Sequence, residues 1–292
     1  MSAIIQLTFD GSMVRNQHQV ALRDLAQVMV GIQSAADRAC LDVLHGNVWK
    51  HQKLRRAQYE MVEFIVGQPL EGSYIIDFAS AAAGRIVDRM KRALQDPYAQ
   101  AREEGDQQIY TIGHQIAGKK DAARDPEKLI KYNDLEDARN PLVTRTYGDR
   151  SINKEFGQML NPLAREPDGF LRLVLKPFED ENSYTYEFDN ITAKKFKRII
   201  SSRQLGSPVI YEGQVRELDR GSKQMKNFRG KFINASNNKT IILHIENEAD
   251  FAALVPFLGK EESVKIIASP IVEFASFDPT GGDIQFLQIH HG

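Results

Sequence analysis

The stretch that most constrains the fold is residues 207–292, where short β-type runs are interrupted once by a helix. Val209 to Val215, Phe228 to Ile233 and Lys239 to Ile245 are rich in branched and aromatic residues and predict three strands. Asn247 is a good helix cap, and Phe251, Leu254, Val255 and Leu258 share one face of a helix over Asn247 to Leu258. Val264 to Phe274 and Ile284 to Ile289 predict two more strands. Three strands, a helix and two strands is the element order of an OB-like barrel, five-stranded and partly open. Other small barrels with one inserted helix share that order.

The first part of the chain mixes helices with a small sheet. Ile4 to Phe9 predicts a strand stopped by the turn pair Asp10-Gly11. Leu22, Leu25, Met29, Ile32, Ala36, Cys40 and Val43 form one helical stripe over residues 19–45. Tyr59 to Val66 reads as a strand apolar on both faces, and therefore covered on both, returning through Gly67 to Gly72 into Ser73 to Phe78. Residues 80–95 predict an Ala-rich helix that Pro97 breaks or restarts, and a second helical stretch reaches Ala117 with an interruption at Gly105.

Residues 119–168 are rich in Asp-Pro, Asn-Pro and Gly punctuation and predict an irregular connector with one short helix near 153–164. Leu171 to Lys176 and Tyr184 to Phe188 then alternate about the polar tip Glu179 to Asn182, which predicts a hairpin, followed by a basic helix near 192–202. The fold class expected is α+β. An N-terminal domain of helices on a small antiparallel sheet spans 1–118, and the connector spans 119–168. A C-terminal domain over 169–292 holds the hairpin and, from about 207, the barrel.

Charge singles out one part of that barrel. The formal net charge is −1, which excludes a uniformly basic nucleic-acid binder. Yet residues 191–240 carry +9, residues 241–292 carry −6, and the first 190 carry −4. The loop and strands joining the first two barrel strands contain Arg216, Arg220, Lys223, Lys226, Arg229 and Lys231. In barrels of this order that hairpin contacts oligonucleotides or oligosaccharides, and basic side chains attract phosphates. Alternation puts Arg229 and Lys231 on one face and Phe228 and Phe232 on the other, so the aromatics read as core. A merely solvated basic hairpin, or one facing an acidic protein, fits the same residues.

Signals for catalysis are weak. Gly113 to Lys120 nearly matches a phosphate loop, but Lys120 stands where the motif needs Ser or Thr, so Gly118 reads instead as the end of a helix. The seven histidines form no close ligand set, and Cys40 lies on the stripe of the first long helix, where it reads as core. No catalytic residue, cofactor or metal is expected, and the balance leans away from an enzyme. A metal-dependent enzyme using the 119–168 connector is the least favoured reading.

Leu7-Thr-Phe-Asp-Gly-Ser12, the helix from Val20, the return strand Gly72-Ser-Tyr-Ile-Ile-Asp77 and the barrel from Glu212 together give the chain a family resemblance. It resembles uncharacterised two-part bacterial proteins found among mobile-element and phage-defence genes. That resemblance implies a bacterial or phage accessory role and carries over no functional residue. The expected function is a non-enzymatic binding protein, with single-stranded DNA or RNA as the partner of the basic hairpin. The alternative is a protein-interaction or scaffold subunit, bound to a protein partner or to itself as an oligomer. The N-terminus lacks the basic start and apolar core of a signal peptide, and no membrane span is seen, so a cytoplasmic location is expected.

Overall fold

The computed structural model describes every residue except 1, 17–18, 47, 49, 68–73, 104–111, 136–141, 178–181, 223–225 and 291–292, and except the side chains of 133, 134, 226 and 227. Its strands are β1 (Ala3–Gly11), β2 (Val14–Arg15), β3 (Gln19–Val20), β4 (Ile65–Val66), β5 (Tyr74–Ser80), β6 (Ile130–Lys131) and β7 (Gly169–Lys176). They continue with β8 (Tyr184–Asp189), β9 (Arg203–Leu205), β10 (Val209–Gly221), β11 (Lys226–Asn234), β12 (Thr240–His244), β13 (Val264–Glu273) and β14 (Ile284–Ile289). Its α-helices are α1 (Leu22–His45), α2 (Gly84–Arg102), α3 (Ile112–Ala123), α4 (Tyr147–Met159), α5 (Asn190–Ile200) and α6 (Glu248–Leu254). The class is α+β. Two units form, each from two separate stretches: Met1–Asp106 with Tyr147–Ser201, and Gln107–Thr146 with Ser202–Gly292.

The first unit is a five-stranded antiparallel sheet in the order β4-β5-β1-β7-β8, with four helices. Ile5, Leu7 and Phe9 of β1 and Leu171, Leu173 and Leu175 of β7 share a core with Ile32, Met90, Phe156 and Phe196 from the helices. The predicted hairpin Leu171 to Phe188 therefore completes this sheet, pairing Leu7 with Leu173, rather than joining the barrel's unit. Its tip at 179–181 lies outside the described residues, as do Trp49 and most of the Gly67 to Gly72 connection.

Two sequence expectations fail in this unit for local reasons. Arg56–Val62 is a 3-10 turn, and only Ile65 and Val66 pair with β5. Gln58 closes that turn by accepting the Arg55 amide at 2.8 Å, and an apolar run without a clear period fits either structure. Ile65 and Val66 are exposed rather than covered on both faces. Pro97 does not end a helix either, since α2 runs through it. A proline leaves the carbonyl four residues earlier without its amide donor. Here Asn153 Nδ2 supplies that donor to Ala93 O at 2.7 Å.

The helices are tied by an ion triad around the buried Arg89. Arg89 of α2 holds Asp42 of α1 through Nε at 2.6 Å and Asp149 of α4 through Nη2 at 2.7 Å. Gly148 makes room for it, because a Cβ there would lie 2.6 Å from the Asp42 carboxylate.

The second unit is a closed barrel. β10 pairs with β11, β11 with β12, β12 with β14, β14 with β13, and β13 back with β10. Taken as first to fifth, the barrel strands run 1-2-3-5-4 and return to 1, and only the third and fifth are parallel. Val209, Tyr211, Val215, Phe228, Phe232, Ile266 and Phe286 fill the interior. The helix α6 is capped by Asn247, which accepts the Asp250 amide at 2.9 Å, and it sends Phe251 onto Phe228 with ring centroids 5.4 Å apart.

The stretch read as an irregular connector is divided between the units. Within 107–146, α3 packs Ile116 and Ala123 onto Ile267, Ile271 and Leu287, and β6 adds a parallel edge to β10. From 147 onward the chain forms α4 and belongs to the first core. The boundaries at 118 and 168 are thus not where contacts divide, because long-range packing claims segments that carry little periodicity of their own. Gly118 lies inside α3, not at its end. The interruption read at Gly105 lies outside the described residues.

Replacing Arg89 with Met should lower the stability of the first unit by about 2 kcal/mol, because the half-buried Asp42 and Asp149 would lose their cation. Urea denaturation checks this, and a midpoint equal to that of the parent chain would refute it.

Candidate nucleic-acid interface

The basic hairpin is longer and tighter than a loop from Glu217 to Asn227. β10 continues to Gly221 and β11 begins at Lys226, so the arms stay paired almost to the turn. Two features shape it. A Cβ at Gly213 would lie 1.9 Å from Ile233 O, so only glycine lets the arms cross this closely. Beyond it the register slips between Val215 and Glu217, making Arg216 an extra, unpaired residue, and slips again between Asp219 and Gly221, where β11 carries the extra residue between Lys226 and Arg229. Bulges of this kind bend a strand and re-aim its side chains.

Alternation on β11 is as expected. Phe228 and Phe232 are buried in the barrel, and Arg229 and Lys231 face outward. Their outward neighbours were not legible without the register. Glu217 stands opposite Lys231 and bonds it at 2.6 Å. Asp219 stands opposite Arg229 on one side, and His244 stands opposite it on the other. His244 Nε2 in turn lies 3.3 Å from Asp283 Oδ2. The face is therefore a ladder of alternating signs rather than a uniformly positive strip.

The six basic residues separate into groups. Arg220 is held by its own unit: Nη1 meets Glu248 at 2.6 Å, and the guanidinium lies 4.8 Å over the Phe251 ring. Lys231 is paired with Glu217. Arg216 and Arg229 are exposed and carry no ion pair among the described residues. Lys223 and the Lys226 side chain lie outside the described residues. No large aromatic is exposed on the described part of this face, so stacking on bases has no platform there.

Elsewhere in the unit, charge is compensated in the same way. Lys120 of the near phosphate-loop motif sits on α3 and reaches Glu246 and Asp250, each at 2.8 Å. Burial opposes its charge, but the two carboxylates outweigh burial and raise its amine above the ordinary lysine value. Burial alone lowers neighbouring Lys119. Inside the barrel, burial and then Tyr132 push the Tyr211 hydroxyl well above the usual phenol value.

Among the described residues, no three His, Cys, Asp or Glu side chains gather to hold a metal ion, and no helix is long and apolar enough to cross a membrane. No protein-family model, curated protein or solved structure matches this chain.

Arg220→Met should leave the barrel folded but loosen the hairpin from α6. Amides from Leu218 to Arg229 are expected to exchange about fivefold faster, which corresponds to about 1 kcal/mol of ion pair and ring contact. Exchange at parent rates would show that Arg220 holds nothing.

Proposed function

We propose that this chain is a binding protein whose barrel contacts single-stranded nucleic acid through the outward face of β10 and β11. Arg216 and Arg229 are the phosphate contacts, and Lys223 and Lys226 at the turn join them. The observation that carries this reading is a closed five-stranded barrel with a long paired hairpin, on which two exposed arginines are left out of the local ion pairs. A phosphate supplies the counter-charge that Asp219 and Glu217 only partly provide. The bacterial or phage accessory role implied by the family resemblance belongs to the same proposal.

The ladder of mixed charge limits the strength and character of this binding. With few phosphate contacts and no stacking platform, affinity is modest and tolerant of sequence. Fluorescence anisotropy with labelled single-stranded DNA, RNA and duplex at several salt concentrations tests it. Two contacts predict a log–log slope of about −1.4, steepening toward about −2.8 if both turn lysines take part. Arg216→Glu with Arg229→Glu should abolish binding, and so should the triple change of Lys226, Arg229 and Lys231 to Glu. Unchanged affinity in these variants would retire the proposal.

A second reading rests on β4, which forms one edge of the first unit's sheet and leaves Ile65 68% and Val66 51% exposed. An exposed apolar edge strand offers unpaired backbone groups to another strand. On this reading the chain self-associates or scaffolds through that edge. Light scattering should then give a mass above that of one chain, and Ile65→Lys should return it to the monomer. A parent chain that is monomeric at micromolar concentration removes this reading.

A further inference from the structure

One rung of the second unit's sheet is polar on the side away from the barrel interior. Arg229 of β11 stands opposite His244 of β12, His244 pairs with Gln285 of β14, and Gln285 stands opposite Ser269 of β13. Exposure falls along the rung. Arg229 is exposed, His244 is half-buried, and Gln285 and Ser269 are buried. His244 therefore sits where the exposed face of the hairpin ends, next to one of the two arginines that carry no local ion pair.

The dyad with Asp283 fixes what this imidazole can do. His244 Nε2 lies 3.3 Å from Asp283 Oδ2, and Nδ1 has no hydrogen bond among the described residues. With Asp283 ionised, the neutral ring keeps its one proton on Nε2. Nδ1 then carries a lone pair and repels a phosphate oxygen. A second proton makes Nδ1 a donor while Nε2–H stays on Asp283. Like charges directly opposite on paired strands repel, so protonated His244 and Arg229 gain when one phosphate lies between them.

The surrounding charges are balanced until that proton arrives. Among the described residues, Arg216, Arg229 and Lys231 on this face are matched in number by Glu217, Asp219 and Asp283. Arg220 is held by Glu248. Glu246, two positions after His244, is held together with Asp250 of α6 by Lys120 of α3. Histidine is the side chain whose charge changes between about pH 5 and about pH 8, so His244 shifts this balance toward positive charge where the carboxylates, lysines and arginines do not.

We infer that His244, positioned by Asp283, is a further phosphate contact of the hairpin face, and that its protonation switches the contact on. The inference rests on the reading of the barrel as a nucleic-acid binder and adds a regulation of that same site. The protonated form binds better, so affinity is highest below the histidine range and falls as pH rises through it. Binding within that range takes up protons.

Fluorescence anisotropy of labelled oligothymidylate at constant low salt tests this, because its bases and phosphodiesters keep their charge from about pH 5.8 to about pH 7.8. Affinity of the parent chain should fall about tenfold over that range, and the log–log salt slope should become shallower by about 0.7, the value of one lost phosphate contact. His244→Gln should bind equally at both pH values, at the weaker level of the parent. Titration calorimetry of the parent chain in two buffers of different ionisation heat should register proton uptake at about pH 6.8, and His244→Gln should lose it. An affinity of the parent that does not change with pH, binding without proton uptake, or an unaltered pH dependence in His244→Gln overturns the inference and leaves Arg216 and Arg229 as the contacts. No binding at either pH retires it together with the barrel reading.

Discussion

Closure of the second unit depends on one strand meeting two neighbours. β10 pairs with β11 along one edge and with β13 along the other, and this double pairing converts a curved sheet into a barrel. The bend it needs is concentrated at Gly213, where the backbones come closest, and at the bulge on Arg216. The interior aromatics, the capping by α6 and the outward set of the hairpin all follow from that closure. A chain with the same strands but no small residue at 213 would meet Ile233 O before the barrel closed.

The first unit is governed by a different constraint, the joining of helices from distant parts of the sequence. Arg89 links α1, α2 and α4, and Asn153 completes the hydrogen bond that Pro97 leaves open. Both interactions bring the 147–159 segment onto α2. Buried polar groups of this kind cost stability unless every partner is in place, so they define which helix packs where. The same arrangement brings Glu155 of α4 to Arg38 of α1, which also binds Gln52 O.

Charge shows most clearly how far local reading carries. The +9 block was visible by counting, and alternation correctly separated Arg229 and Lys231 from Phe228 and Phe232. The partners of those charges were not visible. Glu217 meets Lys231 only through the register of β10 on β11, and Asp219 of β10, His244 of β12 and Asp283 from the loop before β14 enter the same face. Glu248 neutralises Arg220 from a helix 28 positions further on in the chain. A sum of formal charges along a segment carries no information about such pairings.

By itself the sequence determined the barrel's strands, the position of its one inserted helix, the core role of Phe228 and Phe232 and the long helix from Leu22. These rest on period and capping, which act over a few residues and leave a local signature. Tertiary structure alone decided that the 169–189 hairpin completes the first sheet, that α3 and β6 pack onto the barrel's strands and that α2 continues through Pro97. It also decided which cations are paired and which face outward. The physical reason is the same in each case: the deciding partner lies tens to more than a hundred residues away, and the free energy of the contact exists only once the chain has brought the two together.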